Sequence, residues 1–320
     1  MNSICDTTIG IVVLNYNTWQ KTINCINSII NTYKGKMKIV IVDNCSQNQS
    51  FEKLKSSFSQ DKYSDIHVIK SERNGGFSYG NNFGYRYISE HFLVDYVVFS
   101  NNDVIFETDT IRKLIEILCN NSRALAAAPL ILDLNNQPMS LPWKSQQSFS
   151  QYLGIRNGHA CLFSMSELRD ITQVYMVSGC CFAVSIKLFR NIGLFDENVF
   201  LYNEEGILSR KAKEAGYSIW FAPMVSIIHD HGASTGNSNI FVDKEIIKSG
   251  MYYWRNYEKA RIFTIIFLWL FWITRMYIKK ITRKYADVKN YSASIKETFY
   301  HMIFVISGKH RKKENTERNE

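Results

Sequence analysis

The chain lacks the patterns that mark several large protein classes. It has only four prolines in 320 residues, which argues against long linkers and for one large domain, or one domain with an appendage. Its seven cysteines (Cys5, Cys25, Cys45, Cys119, Cys161, Cys180 and Cys181) are scattered and form no Cys-x-x-Cys pair. An odd, dispersed set fits free thiols in a reducing cytoplasm better than a disulfide framework or a zinc site. The amino terminus has no basic segment followed by an apolar core, so no secretion signal is expected. Neither Gly-x-Gly-x-x-Gly nor a Walker-type Gly-Lys-Ser/Thr occurs, which disfavours ordinary NAD- and ATP-binding loops. No internal repeat is visible, and no low-complexity tract precedes the basic end.

What is present points to a folded, unevenly charged chain. Hydrophobic residues make up 46% and aromatics 14%, too many for a disordered polypeptide. Residues 251–320 hold 15 Lys/Arg and 6 Asp/Glu, a balance of +9, so residues 1–250 hold 23 of each and are neutral. The basicity belongs to the carboxyl-terminal part. There, Ile262–Thr274 is uncharged and apolar, with Arg255, Lys259 and Arg261 before it and Arg275, Lys279 and Lys280 after it. The run is shorter than the ~20 residues a spanning helix needs. Aromatics mixed with flanking cations fit a helix lying on an anionic membrane surface, and they make nucleic acid the less suitable partner. A core or dimer-contact helix is the competing reading.

Taken in order, Thr8–Leu14, Met37–Val42, Ile66–Ile69 and Tyr96–Phe99 read as short strands covered on both faces. Helices are expected over Trp19–Tyr33, Phe51–Phe58, Ser78–Glu90 and Thr108–Cys119, and a further strand over Ala124–Leu132. Such alternation means parallel βαβ units in an α/β sheet, with ligands at the carboxyl ends of the strands. Residues 134–174 read as a long irregular segment of the substrate-binding kind. Lys187–Ile192 reads as a helical turn, Asn203–Ala215 as a helix stopped by Gly216, and Tyr217–Phe221 and Val225–Ile228 as strands.

Polar residues collect at the predicted strand ends. Asn15-Tyr-Asn17 follows the first strand, Asp43-Asn-Cys-Ser46 the second, and Ser100-Asn-Asn-Asp103 the fourth. A carboxylate accepts hydrogen bonds only, so Asp43 suits a ribose hydroxyl or a base N–H. A helix cap is the alternative. Asp103 among amides can hold a divalent cation through oxygen, or the tetrad is simply a turn. Arg73-Asn-Gly-Gly76 permits close backbone approach to a phosphate.

These segments resemble, in order, the family 2 glycosyltransferases, in particular the rhamnosyltransferase-like enzymes of bacterial surface-polysaccharide assembly. The resemblance rests on Ile11-Val-Val-Leu-Asn-Tyr-Asn17, Val42-Asp-Asn-Cys-Ser46, Asn74-Gly-Gly-Phe77 with Asn81, Asn82 and Gly84, and Asn101-Asn-Asp-Val104. It continues through Val177-Ser-Gly179, Gly193-Leu-Phe-Asp-Glu197, Phe200-Leu-Tyr-Asn-Glu-Glu205 and His229-Asp-His-Gly-Ala-Ser234. It covers roughly residues 8–255 and implies a GT-A-type catalytic domain over 1–255; the charge and apolar run beyond it make 256–320 a helical, basic, membrane-associating extension. The resemblance also implies a nucleotide-sugar donor (dTDP- or UDP-linked) bound by Asn15, Asn17, Asp43, Asn74, Asn81, Asn101 and Asn102. Mg²⁺ or Mn²⁺ would be held at Asp103, with His229 as a further ligand or phosphate contact and His231 as its close rival. Histidine favours Mn²⁺ over Mg²⁺.

The Glu204-Glu205 pair matches the position of the family's general base, with Glu205 preferred over Glu204. The family's further acid two residues on is Ile207 here. By the resemblance, a base opposite a metal-held leaving group implies inversion at the anomeric carbon, with a saccharide, expected to be lipid-linked, as acceptor. Other readings stay open: a solvated helix start for Glu204-Glu205, structural roles for Asn74 and Asn81, and a catalytically silent saccharide- or nucleotide-binding module. A nucleotidyltransferase is disfavoured because Asn15-Tyr-Asn-Thr18 has neither glycine nor a cation.

Overall fold

The computed structural model describes residues 7–59, 61–230, 240–282 and 290–308. Two compact units emerge from their contacts. One holds the described residues up to Phe195 and those from Leu208 to Asp230; the other holds Asp196–Ile207 and the described residues from Ile240 onward.

The first unit is built on a mixed sheet. The apolar runs form β1 (Ile9–Asn15), β2 (Met37–Asp43), β3 (Ile66–Lys70) and β4 (Tyr96–Asn101), parallel and ordered β3-β2-β1-β4. Helices α1 (Trp19–Thr32), α2 (Ser50–Ser57) and α3 (Gly76–His91) connect them. Register places Asn15 beside Asp43, and Leu14 beside Asn101, so three polar strand ends meet at one edge. Helix α3 can lie close on β1 and β2 because Gly84 faces them. A Cβ there would come within 2.6 Å of Val12 and 2.8 Å of Val42.

Beyond β4 come β5 (Val104–Ile105), α4 (Thr110–Cys119), β6 (Ala124–Leu132), β7 (Pro138–Ser140), α5 (Phe149–Tyr152), β8 (Thr172–Val174), β9 (Cys181–Ser185) and α6 (Ile186–Asn191). Helix α7 (Glu204–Glu214) precedes β10 (Ser218–His229). The sheet is not parallel throughout. Strand β9 runs antiparallel between β4 and β6, and β5 runs antiparallel beside β10. β9 follows β8 through the segment 175–180, with no helical crossover between them, so nothing forces it to run parallel.

The two strands expected over 217–228 are one strand with a register shift between Ala222 and Ser226, where Pro223 has no N–H to give a ladder. Residues 134–174 are also more ordered than expected. They contain β7, α5, two single 3₁₀ turns and β8, and capping boxes at Ser148–Gln151 and Ser164–Glu167 start α5 and the second 3₁₀ turn.

In the second unit, α8 (Ile240–Asn256), α9 (Ile262–Ile281) and α10 (Tyr291–Ser307) pack together. Glu297 of α10 accepts from Lys244 at 2.9 Å and Lys248 at 2.8 Å on α8. Lys279 of α9 pairs with Asp243 of α8 at 2.7 Å. The apolar run expected to end at Thr274 continues as helix to Ile281, because no proline or glycine stops it. At 20 residues, α9 is long and apolar enough to cross a membrane by length and composition.

Candidate active site

The three strand ends are joined by one seam of buried polar side chains. Asn15 Nδ2 donates to Asp43 Oδ1 at 2.7 Å, and Ser46 donates to the same carboxylate through its hydroxyl and its backbone N–H (3.0 Å). Thr22 Oγ1, on α1, donates to Asn15 Oδ1 at 2.9 Å. Asn102 Nδ2 then donates to Thr22 Oγ1 at 2.9 Å and to Thr18 Oγ1 at 2.7 Å. Asn15, Thr22 and Asp43 are fully buried. Both Asn15 and Asp43 therefore turn their side chains inward and hold loops, and Asp43 closes a local turn with Ser46.

Asn17 lies on the outer side of this seam. Its backbone is left-handed (φ 60°), a conformation asparagine tolerates. Its N–H donates to Ser46 Oγ at 2.8 Å, and its Oδ1 accepts from Gln47 N at 2.9 Å. The loops after β1 and β2 are thus locked to one another.

Asn74 Oδ1 accepts from Gly76 N and from Asn44 Nδ2, both at 3.1 Å, and so fixes the amino end of α3. Asn81 is buried within α3. Its amide donates to the Phe77 carbonyl at 3.0 Å, while its Oδ1 has no hydrogen-bond partner among the described residues. Asn101 ends β4, and Asn102 and Asp103 make the tight link to β5. The tetrad is a turn, and the turn is what presents Asp103.

Opposite that turn stands His229, the last residue of β10, in register with Val104. Its Nε2 lies 3.0 Å from Asp103 Oδ1, and the two side chains are only 9% and 11% exposed. Asp230 follows; its N–H donates to the Asp103 carbonyl at 2.9 Å, and its carboxylate pairs with Lys21 of α1 at 2.9 Å. An imidazole nitrogen and a carboxylate oxygen side by side suit a borderline divalent cation such as Mn²⁺. Among the described residues no group of three or more His, Cys, Asp or Glu side chains could hold a metal. A cation here would need its remaining ligands from a substrate phosphate and water, as Mg²⁺ and Mn²⁺ do in diphosphate sites. On that test the pair fits. His231, Gly232 and Ser234 lie outside the described residues.

Glu204 and Glu205 open α7 and belong to the second unit. The turn before them is strained: Tyr202 and Asn203 both have positive φ, 69° and 64°. Asn203 Nδ2 donates to Ser249 Oγ of α8 at 3.0 Å, which anchors the turn. Glu204 is buried, and among the described residues its Oε2 has no hydrogen-bond partner. Burial, and next the neighbouring Glu205, push its carboxyl well above the usual range. Glu205 is half-buried. Nearby, Asp196 accepts from the hydroxyls of Tyr252 (2.8 Å) and Tyr257 (2.6 Å), which fixes the entry to this segment.

Sequence reasoning did not single out Lys21, Thr22, Ser249, Tyr252 or Tyr257. Thr22 carried a signal, a hydroxyl on the apolar stripe of α1 beside Cys25 and Ile26. The others become visible only through tertiary contact.

Fold and sequence define a class. The mixed sheet with helices on its faces, carrying polar residues at its strand ends, is the GT-A glycosyltransferase architecture. Crystal structures similar to the chain include GalNAc-T7 with UDP, GalNAc and Mn²⁺ (TM-score 0.58, 16% identity, 79% of this chain and 49% of that one). Another is TarS of S. aureus (TM-score 0.50, 13% identity, 82% and 42%). The chain spans about half the length of these two proteins or less.

More particularly, the sequence model of glycosyl transferase family 2 matches residues 10–193, more than half of the chain, and the chain belongs to that family. It is similar to the low-salt glycan biosynthesis hexosyltransferase Agl10 of Haloferax volcanii, 26% identical over 222 residues (69% of this chain, 67% of that protein). It is also similar to the N-acetylglucosaminyl-diphospho-decaprenol L-rhamnosyltransferase of Mycobacterium tuberculosis, 27% identical over 155 residues (46% and 50%).

Proposed function

We propose that the protein is a metal-dependent, inverting glycosyltransferase of glycan or cell-surface polysaccharide assembly. It moves a hexose or deoxyhexose, such as rhamnose, from a dTDP- or UDP-linked donor to a saccharide acceptor carried on a lipid. On this reading it works in the cytoplasm at the inner membrane face. The observation that carries the proposal is the convergence of three polar strand ends beside the paired Asp103 and His229.

Each residue then has a task. Asn17 and the loop after β2, locked together, form the wall for base and ribose, and Asn15, Asp43, Thr22 and Asn102 hold that wall. The amino end of α3, shaped by Asn74, offers backbone N–H groups to the diphosphate. Asp103 and His229 hold Mg²⁺ or Mn²⁺, which when bound supplies Lewis-acid neutralisation of the departing diphosphate. Glu205 takes the proton from the acceptor hydroxyl as its oxygen bonds to the anomeric carbon. The bond from that carbon to the diphosphate oxygen breaks, and the configuration inverts. Glu204 stands beside Glu205, buried, with its carboxyl pushed well above the usual range.

The test is a donor screen of dTDP-rhamnose against UDP-sugars with Mg²⁺ or Mn²⁺, read as nucleoside diphosphate release. Release from at least one donor, dependent on the cation, is expected. Binding of every donor without release from any would replace the enzyme by a silent binding module.

A further inference from the structure

The second unit carries a surface that specifies how the protein meets a membrane. Helix α9 has two unlike faces. On one, Ile265, Leu268 and Met276 are buried, and Trp269 Nε1 donates to Thr298 Oγ1 of α10 at 3.1 Å. On the other, Ile262, Phe263, Ile266, Leu270, Tyr277 and Ile281 are between 39% and 64% exposed. These positions recur at helical spacing over all 20 residues, a stripe ~30 Å long. Helix α10 adds exposed Tyr300 and Ile303. An apolar surface of this extent is unusual in contact with water.

Charge identifies what covers it. Between Glu258 and Asp287 the sequence contains no carboxylate. Arg261 at one end of the stripe, and Arg275 and Lys280 toward the other, are exposed. A cation-rimmed apolar stripe complements an anionic lipid surface.

The buried face argues against a span. There Lys279 pairs with Asp243, and the adjoining Lys244, Glu245 and Lys248 of α8 are tied by ion pairs to one another and to Glu297. Threading α9 across a bilayer would carry this cluster into hydrocarbon, or strip α9 from its partners and expose the Lys279 charge.

We propose that α9 and α10 lie in the plane of an anionic phospholipid bilayer. The α9 stripe sinks into the acyl boundary, and Arg261, Arg275 and Lys280 sit at headgroup phosphates. The proposal rests on the membrane-surface reading above and adds its orientation and its residues.

The test uses the full chain with vesicles of phosphatidylcholine alone, or with about one third phosphatidylglycerol. Flotation with the anionic vesicles is expected, and the double variant Phe263→Glu, Leu270→Glu should lower the bound fraction about tenfold. Its unfolding curve and its nucleoside diphosphate release should match the parent. Undiminished binding by that variant, or a solution dimer that these substitutions dissociate, would overturn the proposal, the latter by assigning the stripe to a second copy of the chain. Orientation is read from Arg261→Cys and Lys280→Cys with a membrane-impermeant maleimide. Labelling of both without detergent is expected. Protection of either one until detergent is added would make α9 a span and leave membrane association standing. No flotation with any vesicle would remove the membrane reading itself, while nucleoside diphosphate release reports separately on catalysis.

Discussion

The clearest test of the strand-end architecture is Asp43→Asn. The substitution keeps the shape of the side chain and replaces one oxygen by an NH₂ group. In the protein Oδ1 accepts from Asn15 Nδ2 and the Ser46 hydroxyl, and Oδ2 accepts from the Ser46 backbone N–H. The new amide must aim its donors at the Asn15 amide or at the Ser46 N–H, both of which are donors. It loses at least one hydrogen bond to a charged group, worth roughly 1.5–3 kcal/mol, and leaves a buried donor without an acceptor, at about 1–3 kcal/mol. Partial relaxation reduces the sum to about 2–4 kcal/mol. In a chain of this size each kcal/mol moves the midpoint by ~2 °C, so the fall should be roughly 4–8 °C. Urea denaturation of the parent and variant, paired with titration of a nucleoside diphosphate, checks this. The expected result is a stability loss of that size with weaker nucleotide binding as its consequence. If stability stayed within about 0.5 kcal/mol while affinity collapsed, Asp43 would be a direct nucleotide contact and the inward-facing account would fail.

Asp103→Ala should remove several kcal/mol of charge stabilisation, lowering cation-dependent nucleoside diphosphate release by about 100- to 10,000-fold; release that still saturates with Mn²⁺ as the parent does would reject the assignment. Glu205→Gln should lower kcat by about 100- to 10,000-fold with the donor KM little changed, and steady-state kinetics showing that loss in Glu204→Gln instead would exchange the two roles. For Glu204 the sign of the pH effect is fixed by the raised carboxyl: the folded state holds a proton that the unfolded chain releases near pH ~4.3, so stability falls as pH climbs above that value toward the folded pKa. Glu204→Gln should therefore gain stability relative to the parent on going from pH 5 to pH 8 in chemical denaturation, and an identical difference at both pH values would contradict burial of the acid.

What the sequence disclosed depended on how local each determinant was. The strands β1, β2 and β4 were legible because they are β-branched and aromatic runs largely buried on both faces, and β3, at the sheet edge and only partly buried, from its short apolar run. Helix α1 was legible from Trp19, Ile23, Ile26 and Ile30. Tertiary choices were not. The direction of β9 is set by its pairing between β4 and β6, which no local pattern reveals. The inward turn of Asp43 depends on Asn15, 28 positions away. The single strand β10 looked like two because Pro223 interrupts its ladder without ending it. Helix α8 was not foreseen, and α10 only as an unbounded part of a helical extension, because their polar faces are neutralised against each other by Lys244, Lys248 and Glu297, so no simple amphipathic pattern showed. Asp103 was legible as a candidate, whereas its 3.0 Å approach to His229, 126 positions later, required the fold.

The two adjacent acids show how one sequence signal divides into two environments. Neighbouring carboxyls at a helix start look equivalent in the sequence, and both gain from the positive end of the helix dipole. The turn made by Tyr202 and Asn203 breaks the equivalence. Two consecutive left-handed residues cost roughly 1–2 kcal/mol each, and the Asn203–Ser249 hydrogen bond helps to hold them. In that fixed turn Glu204 is buried, with one carboxyl oxygen lacking a hydrogen-bond partner among the described residues, while Glu205 stays half-buried. Burial and the adjacent acid raise the carboxyl of Glu204, so the two acids of the motif stand in different environments, and the base proposed above is the less buried one.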